Sequence, residues 1–161
     1  MLPPIVENLS VYADFYHTVH ILEAARNRVL NGCKTTDRTR ITPDQEAKIT
    51  AVVWRIYNKL FEDGKQAVEE VRRRLLAATQ AHHDNDLTVK KQQMELAAEW
   101  CRALTKTNRN IMKVVTFLSD ALIEHSPTNE ADITPPANVS RRIDMNNFAA
   151  KMEELWKTII A

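Results

Sequence analysis

The sequence predicts an all-α fold, a helical bundle of about five helices with four-helix-bundle-like packing around one long central helix. Only two of the 161 residues are glycine, against about eleven at the usual frequency of roughly 7%. Because glycine supplies the positive φ of tight turns and hairpins, few such turns are expected. Apolar residues also recur at three- and four-residue steps, and no segment shows the alternation of a strand.

Composition narrows the class of protein. Hydrophobic residues make up 44% of the chain and charged residues 27%, as in ordinary globular proteins, and the length fits a single domain over residues 1–161. The net charge of +1 gives no global attraction to nucleic acid or membrane. Two distant cysteines without a signal peptide favour an intracellular location, cytoplasmic or nuclear. No apolar run is long enough to span a membrane.

The first two helices have recognisable ends. The first is expected from about Ile5 to Asn31, with Gly32 just beyond it and a polar connection over residues 33–41. Thr42-Pro43 starts the second helix, because threonine caps helices and proline suits the first helical position. Glu62-Asp63-Gly64 is expected to end it. The predicted inner faces consist of Tyr12, Phe15, Val19, Leu22 and Val29, and of Ile49, Val52, Val53, Ile56 and Leu60.

Three further helices are expected. The third covers about residues 65–81 and is followed by a polar break over residues 82–86. The fourth and longest covers about residues 87–124, and its polar run at residues 105–110 leaves open whether it is continuous, kinked or broken. Prolines within residues 126–138 predict a loop, and residue 138 or 140 caps a last helix that ends near Ile160.

The residues predict no catalytic site, no metal and no cofactor. Cys101 lies on the apolar stripe of the fourth helix, where cysteine acts as a small hydrophobic side chain. The cluster at residues 82–86 holds two histidines and two aspartates, but neighbouring side chains in a turn diverge, which favours a solvated connector over a zinc site. Paired carboxylates such as Glu69-Glu70 likewise diverge on a helix. An enzyme would require convergence of His17, His20, His82 or His83 with carboxylates.

Two sets of side chains are candidates for binding. The basic set forms a single patch only if the first connection packs beside the third helix, and it would then meet RNA, an acidic partner or lipid headgroups; otherwise it is a solvated face. The basic set is Arg26, Arg28, Arg38, Arg40, Arg72, Arg73 and Arg74. The aromatic set exceeds what one stripe can bury, and exposed aromatic side chains anchor interfaces. The aromatic set is Tyr12, Tyr16, Trp54, Tyr57 and Trp156.

Asn108 interrupts the apolar stripe of the fourth helix. Burial of an asparagine costs stability unless it is hydrogen-bonded, although it can then fix register or pairing. The sequence leaves two interpretations open, a specificity element in a bundle or dimer, or a point where the helix bends or reaches solvent.

Part of the chain resembles a known family. The similarity rests on the spacing of Leu60, Ala67, Glu69-Glu70-Val71, Arg73 and Leu75-Leu76. Thr42-Pro43-Asp44 would correspond to the family's proline-led helix start, and Trp100 to its tryptophan-bearing helix. This pattern, over about a third of the chain, resembles the helical C-terminal domain of the steroid receptor RNA activator protein and of the outer-coat subunit of COPII vesicles. The resemblance implies a five-helix bundle for protein interaction, in transcriptional co-regulation or coat assembly, without catalysis.

The sequence therefore predicts a non-enzymatic interaction module, an adaptor, regulatory or assembly factor. Its expected partner is a protein, and a second copy of the chain is one candidate. The alternative is a nucleic-acid-associated helical protein that uses the basic set.

Overall fold

The computed structural model describes residues 3–35, 41–125 and 145–160, and it describes side chains within 12–33, 41–120 and 148–160. These ranges contain four α-helices: α1 Pro3–Thr35, α2 Pro43–His83, α3 Leu87–His125 and α4 Met145–Ile160. The all-α prediction is confirmed for this part of the chain, where no strand occurs. The described residues contain four helices rather than about five, because the expected second and third helices are one. The predicted loop at 126–138 and the start of the last helix lie outside the described residues.

The helix ends follow local capping chemistry where the sequence predicts it. The Thr42 hydroxyl accepts a hydrogen bond from the Gln45 N–H (3.2 Å), and the Gln45 side chain accepts one from the Thr42 N–H (2.9 Å). This reciprocal pair is a capping box, and Pro43 occupies the first helical position, as expected.

The turn between α2 and α3 is confirmed at the predicted polar break. Asn85 has a φ of 57°, and the Asp86 N–H reaches back to the Ala81 carbonyl at 2.9 Å, which is the pattern of a Schellman motif. Asp86 then caps α3 by accepting a hydrogen bond from the Val89 N–H at 3.1 Å.

Gly64 does not end a helix. It lies buried inside α2, and neither glycine has a positive φ. A Cβ placed on Gly64 would lie 1.9 Å from Cε1 of Phe15, so the missing side chain allows α1 to approach α2 closely. Gly32 likewise lies inside α1 rather than beyond its end, and α1 continues to Thr35, past the predicted start of the connection at Cys33. Residues 36–40 of that connection lie outside the described residues.

The chain divides into two compact units. The first comprises residues 1–20 and 59–111 and contains segments of α1, α2 and α3. Phe15, Leu60, Val71 and Leu104 are among its buried side chains. The run at residues 105–110 stays helical, so α3 is continuous.

Asn108 lies half-buried in this unit, and its Oδ1 is 3.5 Å from the hydroxyl of the buried Thr18. Its position on the stripe is therefore matched by a polar neighbour on α1, while a role in specifying register stays a prediction.

The second unit comprises residues 21–58 and 112–161 and contains segments of all four helices. Met152 of α4 is fully buried, and the rings of Phe117 and Phe148 pack 5.5 Å apart between α3 and α4. Arg55 of α2 makes an ion pair with Glu153 of α4. Residues of α2, α3 and α4 thus contact one another in this unit. In the described residues, no helix has the length and apolarity needed to cross a membrane.

Candidate functional site

Four side chains of the second unit form a surface group that we call the arginine–aromatic cluster. It consists of Glu23 and Arg26 of α1 with Trp54 and Tyr57 of α2. In each helix the two members are three residues apart, a spacing that places them on the same face. The two faces meet because α1 and α2 run antiparallel, so that Glu23 contacts Tyr57 while Arg26 contacts Trp54.

The arginine of this cluster is held by two aromatic rings. Cζ of Arg26 lies 4.2 Å from the ring centroid of Trp54 and 4.3 Å from that of Tyr57. The two rings are 5.8 Å apart at an interplanar angle of 88°, an edge-to-face arrangement that aromatic pairs favour. A cation this close to a ring contributes about 0.5–1 kcal/mol at an exposed site. The two contacts therefore restrict the guanidinium in the free protein.

Hydrogen bonds fix the remaining groups of the cluster. The Tyr57 hydroxyl donates to Glu23 Oε1 at 2.6 Å. Burial raises the pKa of Tyr57, and the bond to Glu23 raises it further, so this phenol stays protonated at neutral pH. Nε and Nη2 of Arg26 donate to Asn27 Oδ1 at 3.1 and 3.0 Å. Among the described residues, no ion pair joins Arg26 to a carboxylate.

The arginines of the predicted basic set fall into both units. Arg26 and the exposed Arg28 belong to the second unit, whereas Arg72, Arg73 and Arg74 belong to the first. Arg38 and Arg40 lie outside the described residues. In the first unit Glu70 makes ion pairs with both Arg73 and Arg74, the latter at 3.5 Å. A single patch formed by all seven arginines thus stays a prediction.

The aromatic set is also divided between the units. In the first unit, Tyr12 is half-buried with its hydroxyl 3.5 Å from the Val68 carbonyl, whereas Tyr16 is 58% exposed. Burial raises the pKa of Tyr12. In the second unit, Trp156 is half-buried with its ring centroid 5.0 Å from Cζ of Arg55. Trp54 and Tyr57 stack on a predicted arginine, Arg26, whereas Tyr12 lies within electrostatic reach of the predicted Arg72.

Sequence reasoning missed two residues that order the cluster, Glu23 and Asn27. Glu23 lies three residues before Arg26, and this spacing of an acid and a base on one helix face was the available signal. The pairing of Arg55 with Trp156 and Glu153 was also missed, because it depends on how α2 and α4 align.

The side chains considered for catalysis or metal binding do not converge in the described residues, where no group of three or more His, Cys, Asp or Glu could hold a metal ion. His82 and His83 are exposed, with ring centroids 6.1 Å apart. Cys33 and Cys101 are buried, and burial raises the pKa of both thiols, which disfavours the reactive thiolate.

Comparisons of the chain with known protein families, with curated proteins and with solved structures find no match. The arginine–aromatic cluster presents an indole, a phenol and a guanidinium, groups that recognise other side chains.

Proposed function

We propose that this chain is a non-enzymatic helical module that binds a protein partner through the arginine–aromatic cluster. The observation that carries the proposal is the stacking of Arg26 on Trp54 and Tyr57 at the surface of the second unit. Trp, Tyr and Arg are the residue types that most often dominate binding energy at interfaces. The Trp54 side chain is 39% exposed, so a partner could bury the rest of its surface.

The order within the cluster supports the same proposal. Immobilising a flexible side chain on binding costs about 0.5–1.5 kcal/mol. Arg26 is already restrained by two rings and by Asn27, and the bond to Glu23 restrains Tyr57. Binding through these side chains therefore loses less conformational freedom than binding through an unrestrained arginine.

The proposal covers three more specific roles that the sequence predicts. An adaptor, a regulatory factor and an assembly factor all require a protein-binding surface and no catalysis. The family resemblance of residues 42–100 implies such a role, in transcriptional co-regulation or coat assembly. A second copy of the chain is one candidate for the partner.

Site-specific photo-crosslinking tests this proposal in the cells that produce the protein. A benzoylphenylalanine replaces Trp54 in one variant and Met112 in the control, because these side chains are matched in exposure, at 39% and 40%, and both belong to the second unit. We expect a discrete covalent adduct from position 54 that is absent from position 112. An adduct of twice the chain's mass would identify the partner as a second copy. Identical adducts from both positions, or none from position 54, would contradict the proposal.

A further inference from the structure

We infer that the partner presents a carboxylate of Asp or Glu beside an apolar side chain, with the carboxylate on Arg26 and the apolar group on Trp54. This inference rests on the proposed function and specifies the chemistry of the partner. It follows from the guanidinium of Arg26 and from the part of each side chain that the fold leaves accessible.

The guanidinium of Arg26 indicates an acidic partner. Both close ring contacts are to its guanidinium carbon, and its two hydrogen bonds to Asn27 use a neutral acceptor. Among the described residues no ion pair joins Arg26 to a carboxylate, and the nearby Glu23 accepts a hydrogen bond from the Tyr57 hydroxyl. A partner carboxylate can therefore form an ion pair with Arg26. Guanidinium binds carboxylate through two parallel N–H···O bonds, which gives this pair its geometric specificity.

Trp54 supplies the apolar half of the site. Its indole is 39% exposed and lies against the same guanidinium. A partner side chain that covers the indole would also exclude water from the neighbouring ion pair, and exclusion of water strengthens the attraction between the charges. The two halves therefore favour an acidic residue and an apolar residue close together on the partner.

A protein carboxylate fits this cluster better than nucleic acid does. A nucleic-acid strand carries a charge at every phosphate and is bound by several cations that follow its backbone. The cluster has one cation, and the Glu23 carboxylate lies 2.6 Å from the Tyr57 hydroxyl beside it. That carboxylate repels any anion, and the cost grows with each phosphate of a strand, whereas a partner with one carboxylate meets it once and gains the bond to Arg26.

Selection from a phage-displayed library of random peptides on the full chain tests the inference. The selected peptides are measured against wild type, Arg26→Gln, Arg26→Lys and Arg109→Gln by fluorescence polarisation. Arg109 is the control because it is an exposed helical arginine that belongs to neither candidate binding set. Thermal melting and circular dichroism of each variant establish that the fold is retained.

We expect enrichment of peptides that contain Asp or Glu next to an apolar residue. Binding should weaken about tenfold or more in Arg26→Gln, because the partner carboxylate loses its cation. Arg26→Lys should recover only part of the affinity, since lysine lacks the planar two-bond geometry. Arg109→Gln should change the affinity less than about twofold.

Three results would overturn the inference. Acidic or other peptides that bind Arg26→Gln as well as wild type would refute the role of Arg26 and leave the proposed protein-binding function standing. Failure to select any peptide would count against both the inference and the proposed protein-binding function. Binding of a labelled single-stranded oligonucleotide that falls steeply with salt and depends on Arg26 would assign the cluster to nucleic acid instead.

Discussion

Replacement of Gly64 by alanine should destabilise the protein, although alanine is the better helix former. A Cβ at this position would lie 1.9, 2.3 and 2.6 Å from Cε1, Cζ and Cδ1 of Phe15. Phe15 is only 2% exposed, so its rigid ring cannot turn into solvent, and the helices must move apart. Overpacking of this kind costs about 1–3 kcal/mol, whereas alanine in place of glycine recovers about 1 kcal/mol of helix propensity. With three ring atoms in the clash, we expect a net loss of about 1–2 kcal/mol.

Gly32 provides the matched control. It also lies inside a helix, but nothing is within 4 Å of a Cβ placed there. Gly32→Ala should therefore stabilise the protein by about 0.5–1 kcal/mol. Guanidinium unfolding followed by far-UV circular dichroism measures both changes, and Phe15→Leu in the Gly64→Ala background should restore part of the loss. If both alanine variants changed the free energy of unfolding in the same direction, the close approach of α1 to α2 at Gly64 would be refuted.

Three further outcomes follow from the caps and the cluster. Asp86→Ala removes the hydrogen bond to the Val89 N–H and should lower the free energy of unfolding by about 1 kcal/mol in chemical denaturation. Asn85→Ala should cost about 1–2 kcal/mol in the same assay, and Asn85→Gly almost nothing, because φ is 57° there. The raised pKa of Tyr57 means that the fold favours the neutral phenol, so the contribution of Tyr57 to stability is constant below the ordinary tyrosine pKa of 10.0 and falls as pH rises toward the raised value. Tyr57→Phe should reduce that fall, as measured by unfolding across alkaline pH.

Features set by neighbouring residues were predictable from the sequence. The Thr42 cap and the polar break before Leu87 depend on side chains that bond within a few residues, and both are confirmed. The inner faces of α1 and α2 follow from apolar spacing, and Phe15, Leu22, Ile49 and Ile56 are buried as expected.

Features set by distant residues were not predictable in this way. Glycine is common both after helix ends and where helices approach closely, and only the position of Phe15 on α1 shows that Gly64 belongs to the second kind. The candidate site likewise has one part that the sequence predicts and one part that depends on distant residues. Arg26, Trp54 and Tyr57 could be identified as candidates by residue type, but their assembly depends on the alignment of α1 with α2.

The affinity of the crosslinked partner for two matched variants is the most direct measure of the central claim, that the arginine–aromatic cluster is a protein-binding surface. Trp54 and Met112 are exposed to the same extent in the second unit, so their truncation to alanine differs mainly in location. We expect Trp54→Ala to weaken binding by about 2 kcal/mol or more, roughly thirtyfold, and Met112→Ala to change it by less than about 0.5 kcal/mol. Equal losses in the two variants, or a larger loss in Met112→Ala, would contradict the claim.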